Sequence, residues 1–203
     1  QFFQENGKKV IIALVVIVAL AVAGYLYKSF VVDANAEKAA ELIIDAQDRF
    51  GVENPDFALA LNGDENGAGF LDVVEQYGST AAGNLAKHYA GICYLRLGDL
   101  ENAEKYLAMY DAVDELPGEI VNAQNLGLRG DIAVEENDLQ TAVELFTKAM
   151  AASDEAYTYE NNARKLALVY IAMGDEAKAQ QTYKSIAEKY PELRNKYAKY
   201  IAQ

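Results

Sequence analysis

Hydrophobic and polar residues are arranged in two different ways along this chain. From Val10 to Tyr27 every residue is uncharged and almost all are apolar, with Lys8 and Lys9 before the run and Lys28 after it. As a helix at about 1.5 Å per residue this run spans roughly 27 Å, close to the hydrocarbon thickness of a bilayer. Beyond residue 35, apolar positions recur at helical spacing, strand-type alternation is scarce, and no second run of this kind occurs. The pattern predicts an all-α protein in three parts. Residues 1–9 form a juxtamembrane end, 10–28 a transmembrane helix, and 29–203 a helical body.

Two readings of the apolar run compete. Ala21-Val22-Ala23 has the small-x-small form of a signal-peptidase site, after which the body would be released. The run continues past that site through Tyr25, Leu26 and Tyr27, longer than a typical signal core, which favours a retained anchor. Two lysines before the span and one after it place the N-terminus in the cytoplasm and the body outside. Tyr25 and Tyr27 suit the outer interfacial belt. Ala13, Ala19, Ala21, Ala23 and Gly24 would let another helix approach closely, a candidate packing face within the membrane. A chain that opens on Gln1 instead of methionine predicts a further stretch before it.

The body repeats itself. Gly91–Tyr110, Gly130–Ala149 and Ala167–Ile186 align on the small residue that opens each. Seven residues on come the pairs Gly98-Asp99, Asn137-Asp138 and Gly174-Asp175. Five after each turn's first residue stands Ala103, Ala142 or Ala179, and four further on Leu107, Phe146 or Tyr183. Two antiparallel helices joined by a tight turn need a residue tolerant of positive φ at the turn. They also need small residues where the helices cross, and a bulky one to fill the space toward the next unit. Such hairpins bury their apolar faces only by stacking into a solenoid.

This spacing resembles the tetratricopeptide pattern, stretched by insertions at Asp111–Pro117 and Ser153–Glu160, with Pro191 at the family's closing proline. A degenerate first unit is expected from Ala36–Phe50 and Phe70–Gly78, separated by a Gly/Asn/Asp-rich loop over Asn54–Gly69. Arg194–Gln203 is expected to cap the solenoid.

Charge narrows the partners. Asp33–Glu160 holds 26 acidic and 7 basic residues, so nucleic acid and anionic lipid would be repelled by most of the body. Asn161–Gln203 reverses the sign, with 4 acidic and 8 basic residues. That stretch is an ordinary solvated helix end or a contact for anionic headgroups or an acidic partner. Cys93 is the only cysteine, which rules out an internal disulfide and a thiolate metal site. It sits in an apolar helical pattern and reads as core. An exported protein without disulfides fits a bacterial envelope.

Little here points to catalysis. His88 is the only histidine, and no acid/base pair, nucleophile motif or cofactor loop accompanies it, so neither enzyme activity nor a cofactor is expected. Asp64, Asn66, Gly69, Asp72 and Glu75 fall in an EF-hand frame, but Ala68 stands where an oxygen ligand is required, and calcium is not expected. The repeat frame instead turns inner-helix residues toward the concave face: Leu85, His88, Tyr89, Ile92, Arg96, Gln124, Leu128, Asp131, Asn161, Arg164 and Lys165. They lack the Lys/Asn/Arg clamp that holds a peptide's C-terminal carboxylate. They either line a groove for extended or unfolded chain or simply face the interior of a short solenoid.

One span followed directly by a short exported repeat body resembles the ancillary SecYEG translocon subunit family (YfgM-like). The likeness covers nearly the whole chain and is densest from Leu59 through Leu107, in a form similar to Bacteroidota versions. The resemblance implies a single-pass protein of the bacterial inner membrane with a periplasmic repeat domain. It also implies lateral association with SecYEG and contact with periplasmic chaperones or unfolded exported chains. If the anchor were cleaved, the alternative is a released periplasmic coordinator of cell-envelope or division machinery.

Overall fold

Neither glycine nor proline occurs between Gly24 and Gly51, and the backbone there takes the consequence. In the computed structural model, which describes the backbone of residues 2–201 and the side chains of 8, 9 and 11–201, a single helical rod runs through this region. Helix α1 (Phe2–Tyr27) passes into a π-helical turn at Lys28–Asp33 and on into α2 (Ala34–Phe50) without a break. Gln1 and Ala202–Gln203, parts of the expected juxtamembrane end and capping helix, lie outside the described residues. The apolar part of the rod is long enough to cross a membrane, and its side chains from Ile11 to Tyr27 are exposed. The described residues hold helices and one isolated bridge, Asp64 with Gly67, in agreement with the all-α expectation.

The chain divides into two compact units, with the boundary after Ala86 inside α5 (Ala81–Leu97). In the first unit, α2 packs against α3 (Phe57–Asn62) and α4 (Phe70–Tyr77), burying Ala39, Ile43, Ala46, Leu61, Phe70 and Val73. Helix α3 corrects the expectation of a continuous loop over 54–69. Asp56 accepts from the Leu59 amide at 2.9 Å and caps the helix, and Gly63 ends it at φ 69°. The remaining loop is tied to α2 by Arg49, which donates to the carbonyls of Gly67 (3.1 Å) and Ala68 (3.3 Å) and pairs with Asp64 at 2.7 Å. Asp72 accepts from the Gly69 amide at the start of α4. Two carboxylates of the EF-hand frame are thus engaged in holding the loop.

The three predicted hairpins follow, all in the second unit except the start of α5 before Lys87. They are α5 with α6 (Leu100–Ala108), α7 (Gly118–Glu135) with α8 (Leu139–Ala152), and α9 (Ala156–Ala172) with α10 (Glu176–Lys189). A 3₁₀ turn at Pro191–Leu193 leads to the closing α11 (Arg194–Ile201). The turn residues Gly98, Asn137 and Gly174 have φ of 82°, 59° and 77°, the left-handed region that spacing demanded. The aspartate after each caps the second helix: Asp99, Asp138 and Asp175 accept from the amide three residues on at 3.0, 3.1 and 3.0 Å.

Packing refines the role of the bulky position. A Cβ placed on Gly91 would lie 2.5 Å from Leu107 Cγ, and one on Gly130 2.7 Å from Phe146 Cε1. Each bulky residue therefore seats on its own unit's opening glycine as well as reaching the next unit. Phe146 also clusters with Leu166 and Val169 of α9, and Leu107 with Ile132 of α7. Tyr183 does the same at the end of the array, stacking on Tyr197 of α11 at 5.6 Å. Cys93 is fully buried, and burial pushes its thiol up to about 12, so it packs and does not react.

Candidate functional site

The inner helices α5, α7 and α9 carry the candidate concave residues, and the structure sorts them into three groups. His88 is the correction. It was expected to face the groove and is 2% exposed. Its Nδ1 accepts from Asn125 Nδ2 at 3.2 Å, with the proton of the neutral ring on Nε2, and the rings of Tyr89 and Tyr110 lie 5.8 and 5.7 Å away. Tyr110 is held over it by Asn122. That side chain accepts from the Tyr110 hydroxyl and the Val113 amide and donates to the Val113 carbonyl, which fixes the start of the insertion after α6.

Burial lowers the histidine to about 4, well below its ordinary 6.5. A depressed histidine binds its proton in the unfolded chain first, so its contribution is complete above pH 6.5 and fades as pH falls toward 4. The loss expected over that window is about 3 kcal/mol. Urea midpoints measured from pH 7 to pH 4 should fall more steeply for the natural chain than for His88→Gln, and parallel curves would refute this.

A second group is structural or simply solvated. Leu128 packs on Ala103, Leu107 and Ile132, while Leu85, Tyr89 and Ile92 are half-buried. Gln124 and Arg96 are exposed, as is Arg164, which donates to Asn161 Oδ1 at 3.4 Å.

The third group forms a cleft. Asp131 of α7 and Lys165 of α9 meet at 2.6 Å beside a hollow of about 470 Å³, whose apolar lining includes Leu95, Val134, Leu139, Phe146, Leu168 and Val169. Helices α7 and α9 form its walls and α8 supplies Leu139 and Phe146. Lys165 also lies 5.8 Å from the Phe146 ring centroid. Val134 and Leu168 remain 38% and 54% exposed, so the hollow presents free apolar surface around a neutralised ion pair.

Reading the repeat frame one helical turn further would have found two residues of this cleft: Leu95 and Val134 each stand four residues after Gly91 and Gly130. Two buried asparagines were missed as well. Asn125 and Asn162 each stand five residues before an opening residue, and each contacts the preceding unit. Asn125 reaches His88, and Asn162 Oδ1 abuts Gly127, where a side chain would collide with it.

Residues 164–192 match the family described as Tetratricopeptide repeat. No curated protein matches the chain. Among solved structures, nearly identical tetratricopeptide-like repeats from a Podosopora anserina kinesin light chain superpose with a TM-score of 0.51 at 16% identity, over 81% of this chain and 74% of that one. A MamA protein structure superposes with a TM-score of 0.49 at 19% identity, over 80% of this chain and 90% of that one. Another MamA structure gives 0.45 at 19% identity, over 66% and 85%.

Proposed function

We propose that this chain, a repeat protein of the tetratricopeptide type, is a non-enzymatic interaction protein held beside the SecYEG translocon. In this reading α1 spans the bacterial inner membrane once, with the N-terminus in the cytoplasm and residues 29–203 in the periplasm. The repeat body presents its surface to emerging unfolded chains or to periplasmic chaperones. The observation that carries the reading is the rod from Ile11 to Phe50, in which the apolar span continues into the first helix of the body. A flexible tether would let the body roam, whereas a helical junction keeps its first unit close to the bilayer, where a translocon partner works.

The span supports lateral contact as well. Ala13, Ala19, Ala21, Ala23 and Gly24 are exposed, and a Cβ on Gly24 would meet nothing within 4 Å, so a neighbouring helix has room to approach. Affinity capture of the full chain from native membranes should recover SecYEG components. Replacing residues 10–27 by polyleucine should keep the protein in the membrane and reduce that recovery. Capture that brings down no translocon component overturns the proposal. The rival reading, a periplasmic coordinator of envelope or division machinery released after Ala23, rests on Ala21-Val22-Ala23 and differs in the mature N-terminus.

A further inference from the structure

We infer that the lipid-contacting surface of this chain runs on past Lys28, through the π-helical turn to Val32, so that the outer face of the bilayer lies at Asp33. It rests on α1 being a retained span and moves that span's outer boundary by more than a helical turn. Between Val10 and Val32, Lys28 is the only charged residue. Phe30, Val31 and Val32 follow it and are 74%, 41% and 46% exposed. No residue of the turn is buried, so the body does not enclose these side chains.

Their distribution around the rod identifies what covers them. Successive helical residues are rotated by about 100°, so three in a row spread over about half the circumference or more. A docked helix covers a stripe of roughly 100° and would leave part of this surface in water. Lipid surrounds the rod on every side. Tyr25, Leu26 and Tyr27 just before the turn are exposed in the same way, so the apolar sleeve is continuous with that of the span.

Backbone and charge both suit this depth. In lipid the backbone polar groups must be satisfied within the segment, and the turn stays helical. Tyr27 before it and Ala34 after it have right-handed helical φ and ψ, and the Ala34 amide donates to the Val31 carbonyl. Helical side chains lean toward the N-terminus, so Phe30, Val31 and Val32 reach back toward the level of Tyr27 and Lys28. The four-carbon stem of Lys28 lies along apolar surface while its ammonium extends to the phosphate layer. Charges that resist lipid begin at Asp33 and continue at Glu37, Lys38 and Glu41.

Single cysteines in the full chain, reconstituted in phosphatidylcholine nanodiscs, test this, since the natural Cys93 is fully buried. Leu20→Cys, Phe30→Cys, Val32→Cys and Lys38→Cys all alter exposed positions. A water-soluble maleimide attacks the thiolate, which an apolar layer suppresses, so positions 30 and 32 should label at least about tenfold more slowly than position 38. Bimane attached to the same cysteines before reconstitution should be quenched by nitroxide lipids at 20, 30 and 32 and not at 38. Labelling at 30 or 32 as fast as at 38 overturns the inference. Slow labelling without lipid quenching overturns it too, because a second copy of the chain would then be the cover. Leu20→Cys keeps the two claims apart: rapid labelling there removes the span itself. Protection at 20 alone leaves the span standing and returns its boundary to Lys28.

Discussion

Phe146→Ala is expected to destabilise the second unit by about 3–5 kcal/mol, the range for emptying a fully enclosed aromatic site. Phe146 is 1% exposed and seats on Gly130, while Ala142, Leu145, Leu166 and Val169 surround it. Because α7, α8 and α9 all meet at this ring, the hole opens at the junction between repeats and weakens the coupling that lets the array unfold together. Gly130→Ala attacks the same seat from the other side. Its new methyl would sit 2.7 Å from Phe146 Cε1, and overpacking of this kind costs about 1–3 kcal/mol.

The double variant should be less destabilised than the two losses combined, since the methyl at 130 occupies part of the space the ring vacates. Chemical denaturation of the four proteins gives the coupling directly. Strict additivity would mean that Phe146 does not rest on Gly130.

Gly83→Ala is the second large effect, and it acts in the first unit. A Cβ at Gly83 would fall inside the van der Waals surface of the Tyr77 carbonyl oxygen and close to Gly78 Cα, both backbone atoms that no rotamer change can move. The turn between α4 and α5 is fixed there by Thr80. Its hydroxyl donates to the Tyr77 carbonyl at 2.8 Å and accepts from the Gly83 amide at 3.0 Å. Alanine forces the turn open and strains these bonds, for an expected loss of about 3 kcal/mol. Native-state hydrogen exchange should show lost protection at the Gly83 and Asn84 amides, both bonded to Thr80. Gly24→Ala, with open space around it, is the control that should cost no stability; equal stability of Gly83→Ala and the natural chain would contradict the geometry.

The repeat was legible because backbone geometry demands particular residues at fixed intervals. Positive φ at Gly98, Asn137 and Gly174, and close helix approach at Gly91 and Gly130, leave marks that survive the insertions between units. Helix α3 was not legible. Six residues are too short to show a period, and its Asp56 cap sits among other turn-forming residues that suggest only loop. The unbroken passage from α1 to α2 could have been read from the missing glycine and proline, but Lys28 and Asp33 drew attention to a boundary instead.

His88 shows the limit of a repeat frame. The frame gives the direction of a side chain from its own helix and says nothing of what folds over it. Its equivalent in the next unit is Gly127, and both positions are covered by an asparagine from the following unit. For His88 the segment after α6 adds Tyr110 to the cover. Asp131 and Lys165 were both read as groove residues, yet their pairing depends on the stacking of α7 on α9, which no single helix pattern specifies.

The account depends most on the anchor staying attached to the repeats. Intact-mass analysis of the native protein purified from its own membranes, with sequencing of its N-terminus, tests this directly. A mass that includes residues 10–27 ahead of the body is the predicted result. A mature chain beginning at Gly24 would contradict a membrane-held scaffold and leave the released periplasmic reading in its place.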